Sequence, residues 1–401
     1  SSTGQRVMRR TRRARWWRRL GGERERVITD ASPTADGGLY VVSWASSGVR
    51  SGEGRDGFLT RLDDTGAVVW EFAWRDSRRP MAVTVTSAGP VAAGSSITPD
   101  PDRPDEDPPA WLAAFTADGD RRWELAYPNG TGDSFETVVA TSAGVVAGGR
   151  TGRYAARTPD ARERVYGTSD WLLAADGEDG TERWRERYFG TDCVSLLADG
   201  TDTLRFVGGS RVVWVASDGA EERSRYYYAE TGSSDTLDSI APGHRDGESV
   251  VAGKAWEASA ANDARLLVID DTGEPLLDRH AGLADWSNFG KDAVAVDDGY
   301  LLSGTTLLDG CSLPWLAWFD RDGTQQEFRF VVRDPDSTPE LTDAGDGAPG
   351  VPESPESHPI VGRHAAVDVL VPTPDGLFAV YNERDRSQSP EQRQTWIGYL
   401  A

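Results

Sequence analysis

Apolar residues in this chain occur in short alternating runs bounded by turn residues, a pattern typical of β-strands. The clearest runs form a repeated phrase of an apolar strand, an Asp/Gly turn and a second strand with an aromatic residue. Full copies span 58–70, 111–123 and 171–184, and weaker copies span 212–219, 266–273 and 315–323. Because one supersecondary unit returns about every fifty residues, the pattern predicts a repeat architecture before any single residue is considered.

Each repeat divides into four strands, which we call a, b, c and d in chain order. In the third repeat, strand a is predicted near 135–141, strand b at 145–149, strand c at 171–175 and strand d at 184–188. Glycine-bearing turns between a and b and between c and d are typical of β-hairpins. Six complete c–d pairs are present, and a seventh begins at 395–401 without its outer strand.

The amino-terminal segment 15–22 resembles a strand d and precedes a strand a, so it can supply that missing strand. We therefore predict an all-β fold, a β-propeller of seven four-stranded blades closed by pairing the N-terminal strand with the C-terminal blade. Closure removes sheet edges that would otherwise template aggregation. Six or eight blades, or an open stack of β-repeats, are the alternatives. The predicted domains are a basic tail at 1–12 and one propeller over 13–401, with an acidic Pro/Gly-rich insert at 335–362.

Six tryptophans recur at matching places in this pattern, and we expect them to pack blade against blade. They are Trp70, Trp123 and Trp184 on strand d, and Trp111, Trp171 and Trp315 on strand c. The phrase Asp-x-x-Gly-x-x-x-Trp, with its closest copy at 62–70, resembles the tryptophan-docking repeat of quinoprotein-type (PQQ-like) propellers. That resemblance implies the propeller architecture. The dehydrogenases of the family have eight blades, a calcium-held quinone and a ring of adjacent cysteines, whereas this chain has seven predicted blades and no adjacent pair.

Cofactor signals are weak, and we expect no cofactor. The turn at 320–323 has alternating acids, but the longer calcium-loop pattern with its terminal Glu is absent. Asp and Gly are also what tight turns need, so calcium is the weaker alternative. Cys193 and Cys311 fall in different repeats without CxxC spacing, so buried thiols are expected and a disulfide is the alternative.

The formal net charge is −22, and Lys254 and Lys291 are the only lysines among 43 basic residues. An acidic, lysine-poor surface suits high salt, where screening keeps self-repulsion small, so we predict a halophile-type surface. The alternative is an acidic protein that binds cations or basic partners. In either case we expect no nucleic-acid partner. No window of roughly eighteen consecutive apolar residues occurs, so no transmembrane span is predicted.

No motif for a nucleophile, a metal site or a phosphate loop is present. The position of the long loops is the most informative feature for function. All of them are b–c or d–a connections, and these connections share one face of a propeller, where binding residues often lie. Strand-b ends on this face are the candidate ligand-binding residues. They are Trp44, Arg150, Lys254, Trp256, Asn382 and Arg384. Ordinary rim packing is the alternative.

These observations predict a non-catalytic binding or scaffold module with an unknown protein, peptide or glycan ligand on the b–c loop face. We expect an extracellular or cell-surface monomer, with the cytoplasm as the alternative location. Two enzymatic alternatives stay open. One is a hydrolase or lyase with acidic residues at the channel mouth, and the other is a quinone-dependent oxidoreductase.

Overall fold

The computed structural model describes most of the chain as β-strands. The described residues are 14–21, 26–45, 56–75, 78–96, 109–128, 133–155, 166–189, 193–198, 203–228, 235–256, 262–283, 286–308, 311–333, 337–343, 363–385 and 392–400. The predicted basic tail at 1–12, His358 and most of the long b–c segments lie outside these ranges.

The strands group into seven blades. The amino-terminal strand is β1 (Ala14–Leu20). Blade 1 contains β2 (Arg26–Pro33), β3 (Leu39–Ala45), β4 (Asp56–Leu62) and β5 (Val68–Trp74). Blade 2 contains β6 (Arg78–Thr86), β7 (Gly89–Ser96), β8 (Ala110–Phe115) and β9 (Arg121–Tyr127). Blade 3 contains β10 (Ser134–Thr141), β11 (Gly144–Ala155), β12 (Tyr166–Ala175) and β13 (Glu182–Phe189).

Blade 4 contains β14 (Ser195–Ala198), β15 (Leu204–Gly208), β16 (Arg211–Val215) and β17 (Glu221–Tyr226). Blade 5 contains β18 (Thr236–Pro242), β19 (Ser249–Trp256), β20 (Asn262–Ile269) and β21 (Pro275–Ala281). Blade 6 contains β22 (Ser287–Val296), β23 (Gly299–Leu308), β24 (Cys311–Asp320), β25 (Gln325–Val332) and β26 (Glu340–Asp343). Blade 7 contains β27 (Arg363–Thr373), β28 (Gly376–Asp385), β29 (Gln392–Leu400) and β1.

The blades close into a ring as predicted. Within each blade the strands pair antiparallel in the order a, b, c, d. In blade 7, β1 takes the place of strand d and pairs with β29, with Trp17 opposite Gly398 and Leu20 opposite Thr395. The innermost strands contact one another in the cycle β2, β6, β10, β14, β18, β22, β27 and back to β2. Seven blades around a central channel, closed by the N-terminal strand, are therefore confirmed.

Tryptophans on the outer strands of blades 1, 2, 3 and 7 join each of these blades to the next. The indole N–H of Trp70 donates to the Ala117 carbonyl at 2.9 Å, and that of Trp184 donates to the Ser217 carbonyl at 2.8 Å. Each acceptor lies in the c–d turn of the following blade. Trp16 on β1 covers Gly66 of blade 1 so closely that a Cβ there would lie 2.6 Å from the ring. Because Gly66 also has a φ of 77°, only glycine suits this position.

Strand-c tryptophans are buried over glycines of strand b. Each lies directly opposite its glycine in the register, which leaves room for the indole ring. A Cβ on Gly304 would lie 2.3 Å from the Trp315 ring. The pairs are Trp111 with Gly94, Trp171 with Gly149, and Trp315 with Gly304. The predicted packing role of the repeated tryptophans is therefore confirmed.

The aspartates of the c–d turns use their carboxylates inside the turn. Asp63 Oδ1 accepts from the backbone N–H groups of Thr65 and Ala67, both at 2.9 Å. Asp270 makes the equivalent bonds in blade 5. The Thr65 hydroxyl and these amides hold the pKa of Asp63 below its usual value. This geometry is the turn chemistry expected from the sequence.

The structure also describes part of the acidic insert and both cysteines. Within the acidic insert at 335–362, β26 pairs with β25 and covers the outer edge of blade 6. Cys193 and Cys311 are buried thiols in different blades rather than halves of a disulfide. The described part of the chain contains no helix with the length and apolar character of a membrane span.

Candidate functional site

The innermost strand carries a β-bulge at the same place in six blades, close to the face where the b–c and d–a connections lie. A bulge adds one residue that has no cross-strand partner and re-aims its side chain. The added residues are Thr29, Met81, Glu136, Asp238, Lys291 and Asp368. We call them the bulge ring, because the cyclic order of the blades arranges them around one opening of the channel.

The residue after the bulge fastens one blade to the next. Asp30 Oδ2 accepts from the Val83 N–H of blade 2 at 2.9 Å, and Asp292 Oδ2 accepts from the Leu370 N–H of blade 7 at 2.8 Å. Serine hydroxyls accept a similar bond in two other blades, although the inner strand of blade 4 has no bulge. They are Ser195, which accepts from Ile240, and Ser239, which accepts from Ala293. The wall of the channel is therefore cross-linked by side chains below the bulge ring.

Asp30 and Asp292 also line a channel cavity of about 470 Å³, together with inner-strand residues of blades 3, 4, 5 and 7. Burial raises the pKa of Asp30 to about 7, and the nearby charge of Asp292 acts in the same direction. Burial likewise raises the pKa of Asp292 to about 6, with a smaller contribution from Asp368. Carboxyl groups that titrate near neutral pH can donate or accept a proton under ordinary conditions.

Four of the six predicted binding residues occupy one level of the ring. Each lies opposite the residue two positions before the bulge residue of its own blade. They are Trp44 in blade 1, Arg150 in blade 3, Lys254 in blade 5 and Asn382 in blade 7. Trp256 and Arg384 lie two residues farther along the same strands, toward the b–c loops. The predicted residues therefore lie on the b–c side of the blades, one strand outward from the bulge ring.

Trp44 and Asn382 hold neighbouring blades together. Trp44 is only 6% exposed, and its ring lies between the guanidinium groups of Arg79 at 5.1 Å and Arg393 at 5.3 Å. Those arginines belong to blades 2 and 7. The amide of Asn382 donates to the Ile28 carbonyl of blade 1 at 3.1 Å and to Asp368 at 2.8 Å. These contacts favour a packing role for both residues.

The remaining predicted residues lie nearer to solvent. The side chain of Arg150 is 48% exposed and forms an ion pair with Glu136 of the bulge ring at 3.1 Å. Lys254 extends toward blade 6, where its Nζ lies 5.5 Å from the centre of the Phe289 ring. Arg384 is half-buried and lies opposite His364 of the innermost strand. The side chain of Trp256 is outside the described part of the structure.

Sequence reasoning missed the inner-strand half of this site. Asp238 of the bulge ring is exposed to solvent at the mouth, although protein lies close enough to its carboxylate to affect the pKa. Burial raises its pKa, and the positive charges of Lys291 and then Lys254 act against that rise. The two lysines of the chain therefore meet at one carboxylate. Their rarity was a usable signal, but the bulge that places Lys291 beside Asp238 leaves no mark in the sequence.

The histidines that the structure describes contact different partners. His244 Nε2 lies 2.7 Å from the Gly299 carbonyl, and His364 Nδ1 lies 3.5 Å from the Ser312 hydroxyl. Among the residues that the structure describes, no three His, Cys, Asp or Glu side chains come together as metal ligands would.

Comparison with known proteins identifies the fold. No protein-family model matches the chain, and no curated protein is similar to it in sequence. The solved quinohemoprotein alcohol dehydrogenase from Comamonas testosteroni is similar in structure, with a TM-score of 0.52 and 11% identity over 96% of this chain and 76% of that one. Quinohemoprotein alcohol dehydrogenase ADHIIG from Pseudomonas putida HK5 gives a TM-score of 0.50 and 9% identity over 96% and 75%. The fold is a β-propeller.

A further solved structure, the WD40 β-propeller domain of Doa1, has a TM-score of 0.49 and 8% identity over 97% of this chain and 96% of that one. The two quinohemoprotein alcohol dehydrogenase structures confirm the expected propeller fold. Identities this low carry no information on substrate or cofactor. The activity of the propeller has to be argued from its own residues.

Proposed function

We propose that this propeller is a non-catalytic binding module whose ligand lies at the channel mouth on the b–c face. The observation that carries the proposal is the bulge ring, which sets charged side chains of successive blades around one opening. In blades 5, 6 and 7 these are Asp238, Lys291 and Asp368. They stand on inner strands that hydrogen bonds tie to their neighbours. A recognition site needs such rigid support, because loosely held groups bind poorly.

The opposite face of the propeller offers a ligand fewer unengaged polar groups among the described turns. Its turns repeat the same Asp/Gly geometry, and their carboxylates are engaged by the amides of their own turn, as at Asp63 and Asp270. Differences from blade to blade are concentrated at the mouth. Such variety on one face supports selective binding, and the proposed setting is the exterior of the cell with the protein as a monomer.

A screen of peptides, glycans and small metabolites, detected by a rise in melting temperature, tests the proposal. A ligand that binds at the mouth should lose affinity in Asp238→Asn and Arg150→Ser. It should keep its affinity in Asp118→Asn and Asp218→Asn, the matched substitutions on the turn face. A hit that depends on the turn aspartates and not on the mouth residues would overturn the assignment.

A hydrolase or lyase is the second candidate, and one observation favours it. Asp30 and Asp292 line the channel cavity, and both titrate close to neutral pH because they are buried. One protonated and one ionised carboxyl are the groups that acid–base hydrolysis needs. The test is a panel of chromogenic glycosides and esters. Turnover that disappears in Asp30→Asn or Asp292→Asn would favour the enzyme over the binding module.

A quinone-dependent oxidoreductase is the remaining alternative, and it rests on fold likeness alone. Incubation with calcium and the quinone, followed by optical titration, tests it directly. A saturable spectral change would support it.

A further inference from the structure

The two lysines of this chain meet at the junction of blades 5 and 6. Lys254 lies two residues before the end of its strand on blade 5 and reaches over Phe289 of blade 6. Lys291 is the bulge residue of the same strand that carries Phe289, two positions later. Both are half-buried, and both act electrostatically on Asp238. The chain therefore places both of its lysine ammonium groups near one carboxylate at the channel mouth.

Neither ammonium group is committed to a partner. Among the described residues, neither Lys254 nor Lys291 forms a hydrogen bond or a close ion pair. Several arginines, most of them more deeply buried than these lysines, do form close ion pairs. Ion-paired examples are Arg26 with Glu71, Arg61 with Asp36, Arg265 with Asp278, and Arg333 with Glu383. A half-buried cation without a close partner costs free energy, so an anion that reached this point would be stabilised.

Side-chain hydrogen bonds to backbone amides hold the strands around the lysines in place. Asp292, the residue after Lys291, accepts from the amides of Ala293 and Leu370, both within 2.9 Å. Ser239, the residue after Asp238, accepts from the Ala293 amide as well. These bonds hold the inner strands of blades 5, 6 and 7 to one another. The groups available for recognition here are the lysine side chains and Asp238.

We propose that Lys254 and Lys291 form the anion subsite of this binding module and take the carboxylate of a small organic acid, with Asp238 accepting a hydrogen bond from the ligand. The proposal rests on the proposed function and names its ligand class. Two ammonium groups and one carboxylate leave a local charge of one, which a single carboxylate balances. A phosphate would bring more negative charge than the subsite can balance, and phosphate sites usually offer arginine forks or free backbone amides.

The presence of only two lysines gives a direct assay. In protein labelled at lysine with ¹³Cε, the chain has one signal for each lysine, and Lys254→Arg and Lys291→Arg assign them. The full-length protein is titrated with acetate, glycolate, succinate and glucuronate, and in parallel with phosphate and sulfate. Ionic strength is held constant with KCl, because screening alone would also move the signals.

We expect at least one carboxylate to shift both signals saturably while phosphate and sulfate do not. Affinity for that carboxylate should fall about tenfold or more in Lys291→Met, because a charge-assisted hydrogen bond is lost. It should stay unchanged in Arg225→Met, a matched loss of a basic side chain on the outer strand of blade 4. Lys291→Arg keeps the charge and checks that any loss in Lys291→Met is not a loss of folding.

Two results would overturn the subsite. One is that phosphate or sulfate saturates both signals and the carboxylates do not. The other is that the signals follow ionic strength alone in every titration. A ligand from the screen that binds through Asp238 or Arg150 while both lysine signals stay fixed would reject the subsite and leave the proposed function standing.

Discussion

The buried carboxyls of the channel should make the propeller less stable as the pH rises. The perturbation is Asp30→Asn, alone and combined with Asp292→Asn, which keeps side-chain size and removes titration. Asp30 lies in the channel wall with Asp292 close enough to act on it, and Asp292 in turn feels Asp368. Lys291 precedes Asp292 in the strand. The charges of Asp292, Asp368 and Lys291 therefore also affect how Asp30 titrates.

The sign follows from the raised pKa. Asp30 titrates at about 7 in the folded protein, against 3.8 for the ordinary side chain. Folding therefore favours the protonated form of Asp30. This contribution to the free energy of unfolding is complete below the unfolded-state pKa of 3.8, and it is lost as the pH rises through the folded-state pKa of about 7. Between about pH 5 and about pH 8 the loss is roughly 2 kcal/mol for Asp30 and roughly 1 kcal/mol for Asp292.

Urea unfolding at a fixed KCl concentration, measured from about pH 5 to about pH 8, gives the free energy of unfolding. We expect the parent to lose stability over this range and Asp30→Asn to lose about 2 kcal/mol less. Asp64→Asn, at an exposed turn carboxylate, should follow the parent and correct for the general repulsion of an acidic protein. If Asp30→Asn and the parent show the same pH slope, burial does not perturb this carboxyl as described.

Three further predictions concern the architecture and the surface. Removing residues 1–22 deletes β1 and exposes the edge of β29, so we expect aggregation or a large loss of stability, and a truncated protein with an unchanged melting temperature would rule out closure by the N-terminal strand. Trp123→Ala removes a docking indole that donates to the Gly177 carbonyl. Calorimetry should show a loss of about 3–5 kcal/mol in the free energy of unfolding, and full stability would contradict the packing role. Stability should rise from low salt to molar KCl because screening reduces the repulsion of 22 net negative charges, and a melting curve indifferent to salt would contradict the halophile-type surface.

The repeated local signals of the sequence were enough to predict the blades. An Asp/Gly turn followed four residues later by tryptophan is a short-range pattern, and its meaning does not depend on distant parts of the chain. The same holds for Gly66, whose left-handed backbone is a property of the turn itself. Even the closure was predictable, because segment 15–22 has the pattern of a strand d and precedes a strand a.

The site could be predicted only in part. Strand ends indicated Arg150 and Lys254, which contact Glu136 and Phe289 of inner strands. The contacts of Trp44 could not be foreseen, because its two arginine neighbours come from blades 2 and 7, far apart in the chain. Side chains at equivalent positions of a repeat look alike in sequence, and what each touches depends on the neighbouring blade.

The sequence by itself therefore determined the strand pattern, the number of repeats and the way the ring closes, because these follow from local periodicity and turn chemistry. Only the tertiary structure decided which residues face one another across the channel. The bulge that inserts Lys291 arises from a shift of register between paired strands, and the raised pKa of Asp30 arises from burial by surrounding blades. Both depend on contacts between segments distant in sequence, which no local pattern encodes.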